Sequence, residues 1–118
     1  MTSSERLGRR QRLAGATDYR QVLSRGARQR YEFLDFLWVV NDVGHPRLGL
    51  VVPKFQSSVV ARNRLRRRLK EIARRVVFPR LKSVDLVIRA RREAYGASFG
   101  QLALEVGQWL SSRAPRNS

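Results

Sequence analysis

Residues 61–75, with the sequence ARNRLRRRLKEIARR, contain eight arginine or lysine residues and a single acid, Glu71. A guanidinium group can hold a phosphate through two parallel hydrogen bonds, and its flat face can stack on a nucleobase. Basic side chains that neutralise several phosphates in a row bind nucleic acids in a strongly salt-dependent way. The chemistry that this segment predicts is therefore polyanion binding.

Catalytic chemistry has few candidate residues. Cysteine is absent, which excludes disulfides, thiolate nucleophiles and thiolate zinc sites. The nine acids are scattered singly, and the one histidine, His45, lies in a turn-like segment beside Pro46. Hydrolysis of a phosphodiester would need clustered carboxylates for two metal ions, or a positioned acid and base. We therefore predict no catalytic residue and no metal site in this chain.

The charge of the whole chain points the same way. Twenty-five basic residues against nine acids give a net charge of +16, a balance for which nucleic-acid binding is the first hypothesis. Residues 54–92 carry +12 of it, whereas residues 93–118 are neutral, so the charge marks a surface. Twenty-two of the bases are arginine, which an Arg-rich, GC-rich coding sequence would also produce.

Length and hydropathy indicate one domain. A chain of 118 residues that is 42% hydrophobic suits a single compact unit with a modest core, here residues 1–118. No apolar run follows the basic N-terminus, and no segment is long enough to cross a bilayer. We expect a soluble cytoplasmic protein with no membrane partner, in which residues 1–12 and 113–118 are flexible when the chain is free.

A helix would give the basic segment two different sides. At 100° per residue, its apolar side chains fall on one narrow stripe and Asn63 falls among the bases opposite. Ser58 is the predicted N-cap and Pro79 the predicted stop. Like charges four residues apart cost about 0.2–0.5 kcal/mol each, so the stripe must be anchored in a core. The stripe consists of Ala61, Leu65, Leu69, Ile72 and Val76.

The cationic side of this helix has three possible interpretations. A merely solvated helix face usually mixes both signs of charge, which this one does not. A helix lying on a membrane would need a broader apolar face with exposed aromatic residues. Nucleic-acid binding remains, although the spacing separates RNA from DNA only weakly. A DNA-binding basic-helix protein would also need heptads or a turn-linked recognition helix, and neither is present.

Two further helices are predicted from their ends. Residues 17–25 favour a helix with Thr17 as its N-cap and Gly26 as its terminator. Ser98 followed by Gln101 is the capping-box pattern that opens a last helix. The apolar residues of that last helix form one stripe of Phe99, Leu102, Ala103, Val106, Trp109 and Leu110.

Aromatic and β-branched density predicts the strands. Residues 31–40 and 48–52 favour two strands of a hairpin around the turn-like sequence NDVGHPR, and residues 85–90 favour another strand. A small additional strand near Tyr31 would complete the order α-β-β-β-α-β-α.

The run RLGLVVPK, followed after a short loop by ARNRLRRRLKE, resembles the signature of the bacterial ribonuclease P protein component. This family is the basic partner of the catalytic RNA that removes 5′ leaders from precursor tRNA. The resemblance extends from about Arg12 to Trp109, and after Lys54 this chain departs from it with Phe55 instead of a further base. The matching positions are Tyr19, Arg47, Gly49, Leu50, Lys54, Arg62, Asn63, Arg64, Arg66, Arg67, Lys70, Glu71, Asp85 and Arg91.

The resemblance implies an α/β, or α+β, two-layer sandwich with a mixed four-stranded sheet. It also implies an unusual left-handed βαβ crossover through the basic helix, where general rules favour a right-handed one. The implied partners are the ribonuclease P RNA and the 5′ leader of precursor tRNA, with no obligatory protein partner. The magnesium ions would be held by the RNA, and no cofactor by the protein.

The resemblance also implies two sets of binding residues. A cleft between the sheet and the first helix would take the leader, although half-buried strands favour aromatic residues anyway and core packing is the alternative for the aromatic ones. The leader-cleft residues are Tyr19, Phe36, Lys54 and Arg91. The RNA-binding residues of the basic helix are Arg62, Asn63, Arg64, Arg66, Arg67, Lys70 and Arg74. The alternative function is that of a structural, ribosomal-type RNA-binding protein.

Overall fold

A computed structural model describes residues 9–13 and 15–115, which form a four-stranded mixed sheet with three α-helices. Short 3-10 helices precede the first helix and follow the last strand, at Arg9–Gln11 and Arg92–Gly96. The predicted element order and the α+β fold with a mixed four-stranded sheet are confirmed. In chain order the main elements are α1 (Ala16–Arg25), β1 (Ala27–Arg30), β2 (Leu34–Val40), β3 (Arg47–Val51), α2 (Val59–Ile72), β4 (Val84–Ala90) and α3 (Phe99–Ser112).

The sheet has the strand order β1-β2-β4-β3, in which only β3 and β4 are parallel. The predicted hairpin of β2 with β3 is therefore wrong, because β4 lies between them. The reason is burial: the five successive residues from Val84 to Ile88 of β4 are all buried, and a strand in the middle of the sheet is covered on both faces. The additional strand expected near Tyr31 is β1, and β2 begins at Leu34.

The connection from β3 through α2 to β4 joins two adjacent parallel strands. It is the βαβ crossover that the resemblance implies, and its left-handedness stays a prediction. The prediction of flexible ends falls partly on residues 1–8 and 116–118, which lie outside the described residues. Within the described part, Arg12 bridges to Leu48 of β3. No helix of this part is long and apolar enough to span a membrane.

The helix ends follow local capping rules with one exception. The Gly26 N–H donates to Val22 O at 3.0 Å and ends α1, as predicted. The capping box of Ser98 and Gln101 is also present, with both of its hydrogen bonds. Thr17 is not the N-cap of α1, because the helix begins at Ala16 and Gly15, at φ 85°, occupies the cap position. A positive φ suits glycine and leaves Thr17 inside the first turn.

The basic helix α2 buries the apolar stripe that its periodicity predicts. The Ser58 hydroxyl accepts a hydrogen bond from the Ala61 N–H at 3.0 Å. Leu65, Leu69 and Ile72 are buried, while Ala61 and Val76 at the two ends of the stripe are half-buried. The helix continues as a π-turn, Ala73–Val77, and the chain then turns at residues 78–80, around the predicted stop.

The two faces of the sheet carry separate cores. The larger core joins α2 and α3 to one face, and the Phe36 and Trp109 rings stack there at 5.2 Å. The smaller core joins α1 to the other face through Val22, Leu37 and Val87. Alternate strand residues point to opposite faces, which explains why neighbours such as Phe36 and Leu37 belong to different cores.

One acid is built into the larger core. Glu105 of α3 is buried, and its two carboxylate oxygens accept the backbone N–H groups of Phe33 and Leu34 at 2.9 and 3.1 Å. Burial raises the pKa of Glu105 above its usual value, although the backbone hydrogen bonds oppose that shift. The predicted α3 stripe is correct at Leu102, Val106 and Trp109, whereas Phe99 is 38% exposed.

The buried stripe of α2 predicts a large stability difference between two of its residues. Leu69→Ala removes a fully buried side chain and should lower the free energy of unfolding by about 2–5 kcal/mol. Val60→Ala changes a side chain that is 65% exposed and should stay within about 0.5 kcal/mol of wild type. Urea unfolding followed by circular dichroism measures both. Equal effects of the two variants would show that α2 does not pack as described.

Glu105 predicts a pH dependence of stability. Because its pKa is raised in the folded state, the folded protein holds this proton more tightly than the unfolded chain does. The associated stability is present below the usual pKa of 4.5 and is lost as the pH rises through the raised value. The unfolding free energy of wild type minus that of Glu105→Gln should therefore fall between pH 4 and pH 7. A difference that rises with pH would mean that the two N–H bonds outweigh burial.

Candidate nucleic-acid interface

The side of α2 opposite the buried stripe forms a cationic surface. Asn63, Arg64, Arg67 and Lys70 are exposed, and Arg66 is half-buried. We refer to these five residues as the cationic face of α2. The apolar stripe fixes the orientation of this face, because Leu65 and Leu69 cannot turn outward without exposing a large apolar area.

The cationic face is not neutralised by the acids of the described residues. In α2, Glu71 pairs with Arg74 at 2.8 Å and with Arg75, both on the following turn. The hydrogen bond from Arg74 is the main cause that lowers the pKa of Glu71. No carboxylate of the described part lies within ion-pair distance of Arg64, Arg66 or Arg67. Arg74, a predicted RNA-binding residue, thus holds an internal carboxylate, and its contact with RNA stays a prediction.

Two arginines of α2 also hold the helix in place. Arg62 is half-buried, and its Nε donates to Val52 O, just after β3, at 2.7 Å. Arg68 reaches Ala97 O with one Nη at 3.3 Å. These bonds tie α2 to the loops that follow β3 and β4. Arg62, predicted as an RNA contact, therefore has a structural partner as well.

A cation from the N-terminal segment extends the cationic face. Burial together with the charges of Arg66 and Arg12 lowers the pKa of Lys70. Arg12 is placed there because it bridges to Leu48, and the neighbouring Leu13 N–H donates to Leu48 O at 2.9 Å. These three cations repel one another, and a phosphate between them would relieve that repulsion. Arg12 was not among the predicted RNA contacts, and its only signal in the sequence is the basic run RRQR.

A second surface lies on the opposite sheet face, beside α1. The Tyr19 ring packs directly on Gly49, where a Cβ atom would come within 2.5–2.7 Å of the ring and hydroxyl. Only glycine leaves room for the ring in this position. Tyr19 is half-buried, so part of its side chain remains accessible to a ligand.

Beyond α1 the same face carries three arginines that were not among the predicted site residues. Arg28, Arg30 and Arg89 are exposed and line a shallow pocket with Asp35 and Leu37. We refer to these five residues as the open sheet face. Arg30 donates to Asp35 at 2.8 and 3.2 Å, whereas Arg28 and Arg89 form no ion pair with the described acids. The sequence signals for these residues were the arginines of the edge strand β1 and the single arginine in the largely apolar strand β4.

The prediction of Phe36 as a cleft residue is wrong. Phe36 is fully buried and stacks on Trp109, on the face of the sheet that carries α2 and α3. Its neighbour Leu37 faces α1 instead. A shift of one residue along a strand exchanges the two faces, so an alignment uncertain by one residue reverses the assignment.

Lys54 and Arg91 lie at one end of the sheet, after the carboxyl ends of the parallel strands β3 and β4. Lys54 is exposed. Arg91 is half-buried and donates to Tyr31 O at 2.8 Å and Glu32 O at 2.9 Å, so it fixes the turn before β2. The structure therefore does not bring the four predicted cleft residues into one cleft. The binding roles of Tyr19, Lys54 and Arg91 stay predictions.

The side chains of both surfaces are of types that can bind nucleic acids. Guanidinium and ammonium groups hold phosphates, and the Tyr19 ring offers a face for stacking. In residues 9–13 and 15–115, no three His, Asp or Glu side chains gather where they could hold a metal ion.

Comparison with known proteins gives a consistent result. The family model for Ribonuclease P matches residues 7–113. The ribonuclease P protein component of Acidothermus cellulolyticus is 37% identical over 105 residues, covering 86% of each chain. The ribonuclease P protein of Thermotoga maritima superposes with a TM-score of 0.77 at 24% identity, covering 88% of this chain and 98% of its own. The Staphylococcus aureus protein gives 0.76 at 21% identity, covering 86% and 93%.

The cationic face of α2 predicts a change in the salt dependence of RNA binding. Arg67→Ala removes one exposed cation, so the slope of log affinity against log salt concentration should flatten by about 0.7–0.9, the value of one phosphate contact. Arg113→Ala removes the same charge from the end of α3 and should leave the slope unchanged. Filter binding of a structured RNA between about 50 and 200 mM salt measures both. An unchanged slope for Arg67→Ala would remove this residue from the interface.

Proposed function

The chain belongs to the ribonuclease P protein family, and from this premise we propose that it is the RNA-binding subunit of an endoribonuclease, ribonuclease P. In this role it assists the catalytic RNA in removing the 5′ leader from precursor tRNA. The family match supports the assignment to tRNA processing together with a ribonuclease P RNA. Such a role belongs in the cytoplasm.

One observation carries the proposal: a buried stripe orients the cationic face of α2 outward, and the carboxylates of the described residues do not pair with its arginines. A surface of this kind matches the phosphate backbone of a folded RNA. Since A-form RNA is recognised mostly through its backbone and shape, arginines held on a rigid helix suit it. We assign the cationic face, together with Arg12, to the catalytic RNA.

The opposite face suits the leader. An unpaired strand is bound without sequence preference when an aromatic ring stacks on its bases and cations follow its backbone. Tyr19 supplies such a ring, and Arg28 and Arg89 of the open sheet face supply cations. We therefore assign the leader to the surface that runs from Tyr19 over the open sheet face.

The protein's contribution would be electrostatic and positional. Two RNAs that approach each other repel through their phosphates, and the cations of the two surfaces would offset that repulsion. The magnesium ions that promote cleavage would be held by the RNA. A lower requirement for magnesium follows, because part of the screening that magnesium gives would come from the protein.

Reconstitution tests the function. The purified chain is added to a bacterial ribonuclease P RNA at low magnesium, and cleavage is measured for precursor tRNA with a leader of several nucleotides and with a leader of one. We expect stimulation of cleavage and tighter binding of the long-leader substrate. Stimulation that ignores leader length, or no stimulation, would favour a structural RNA-binding protein instead.

Tyr19 variants test the leader assignment in the same assay. Tyr19→Leu removes the flat ring and should weaken the advantage of the long leader about fivefold or more, since stacking contributes about 1–3 kcal/mol per base. Tyr19→Phe keeps the ring and should retain the advantage. If Tyr19→Leu keeps the full leader advantage, Tyr19 does not stack on the leader.

A further inference from the structure

Phe55 has two properties that the fold does not require. It lies in the turn between β3 and α2 with φ 52°, a left-handed conformation that residues other than glycine rarely adopt. Its side chain is also 42% exposed, although it is large and apolar. Strained and exposed residues of this kind persist where the surroundings hold them, and they cluster at binding sites.

The surroundings hold Phe55 through a second aromatic ring. The rings of Phe55 and Tyr95 meet edge to face, with centroids 6.3 Å apart and planes at 87°. The Tyr95 hydroxyl donates to Pro53 O at 2.7 Å, which ties the segment after β4 to the turn that carries Phe55. Lys54 O accepts hydrogen bonds from both the N–H and the hydroxyl of Ser57, so the turn itself is closed.

A cation lies against the same ring. The Arg92 guanidinium carbon is 5.1 Å from the centre of the Phe55 ring, a cation–π distance. Arg92 is exposed, and so is Lys54, the residue before Phe55. The nearby Glu93 carboxylate lies 3.9 Å from Arg91. The exposed ring is thus accompanied by cations from two loops.

We propose that Phe55, fixed by Tyr95 and accompanied by Arg92, is a stacking platform for one unpaired nucleobase of RNA. The three residues are called the Phe55 platform below. This inference rests on the proposed function and adds a site to it. A nucleobase offers a flat π-face to the ring, and its attached phosphates suit Arg92 and Lys54.

The position of the platform fits the assigned RNA surface. Ser58, three residues after Phe55, caps α2, and the cationic face begins five residues later at Asn63. Arg68 of α2 bonds to Ala97 O, just after the segment that carries Arg92 and Tyr95. An RNA backbone that follows α2 to its N-terminus therefore arrives at the platform. A single ring among cations is also far smaller than the apolar centre of a protein interface.

The test uses the full chain and four variants. Phe55→Leu keeps an apolar side chain but removes the flat ring, and it should weaken RNA binding about tenfold. The loss should be the same at every salt concentration, because stacking releases no counterions. Phe55→Trp keeps an aromatic face and should retain affinity. Leu104→Ala alters an exposed apolar residue of α3 and should bind as wild type.

Phe55→Gly separates binding from folding. Glycine adopts φ 52° without strain, so this variant should unfold at the same or a higher denaturant concentration than Phe55→Leu. It should nevertheless bind RNA as weakly as Phe55→Leu. If Phe55 served only the fold, RNA binding would weaken only in variants that also lose stability.

Two binding measurements identify which RNA supplies the base. The first is the affinity of the chain for ribonuclease P RNA alone, and the second is the affinity of the assembled holoenzyme for precursor tRNA with a long or a short leader. A loss in the first assigns the base to the catalytic RNA, and a loss confined to long leaders assigns it to the leader. If wild type binds and Phe55→Leu matches it in both, the platform is overturned while the proposed function stands. If wild type binds no ribonuclease P RNA, both are overturned.

Discussion

The burial of the α2 stripe is the interaction on which the rest of the structure depends. Leu65, Leu69 and Ile72 are almost completely buried against the sheet and α3. Each such side chain contributes about 1.5–3 kcal/mol, whereas a like-charge pair four residues apart costs about 0.2–0.5 kcal/mol. Three buried residues therefore outweigh several repulsive pairs. The helix can keep its arginines unneutralised because packing, and not ion pairing, holds it.

Three acids strengthen this separation of charge. Asp35, Asp85 and Glu105 are buried, and each is bound inside the fold. Asp85 receives two hydrogen bonds from Arg47 at 2.8 Å, which joins the start of β3 to β4, while Glu105 holds the turn before β2. Acids used in this way contribute little to the surface. The bases outnumber the acids that remain on the surface, so the outward field of the molecule is positive, which is what a ligand made of phosphates requires.

Local patterns were predictable from the sequence, and pairing between distant segments was not. The orientation of α2 and the capping of α3 depend on residues three or four positions apart, so periodicity identified them. The prediction of a hairpin was wrong because β2 and β4 are buried on both faces. Their sequences therefore lack the alternation of apolar and polar residues that would indicate which strands are their neighbours. The prediction for Phe36 was wrong for a related reason, since an alignment uncertain by one residue reverses the face of the sheet to which a side chain is assigned. Arg12 depends on a bridge to β3 that no local pattern encodes.

The two assigned RNA surfaces lie on opposite faces of one sheet. The α2 stripe packs with Phe36 and Ile88, whereas Tyr19 packs with Leu37 and Val87, and these residues alternate along the same two strands. A ligand on one face therefore does not cover the other. The two faces meet at the edge strand β3. There the Tyr19 ring packs on Gly49, and the bridge to Leu48 positions Arg12. A sheet is stiff across its hydrogen-bonded strands, so under the proposed function β3 would fix the distance between leader and catalytic RNA.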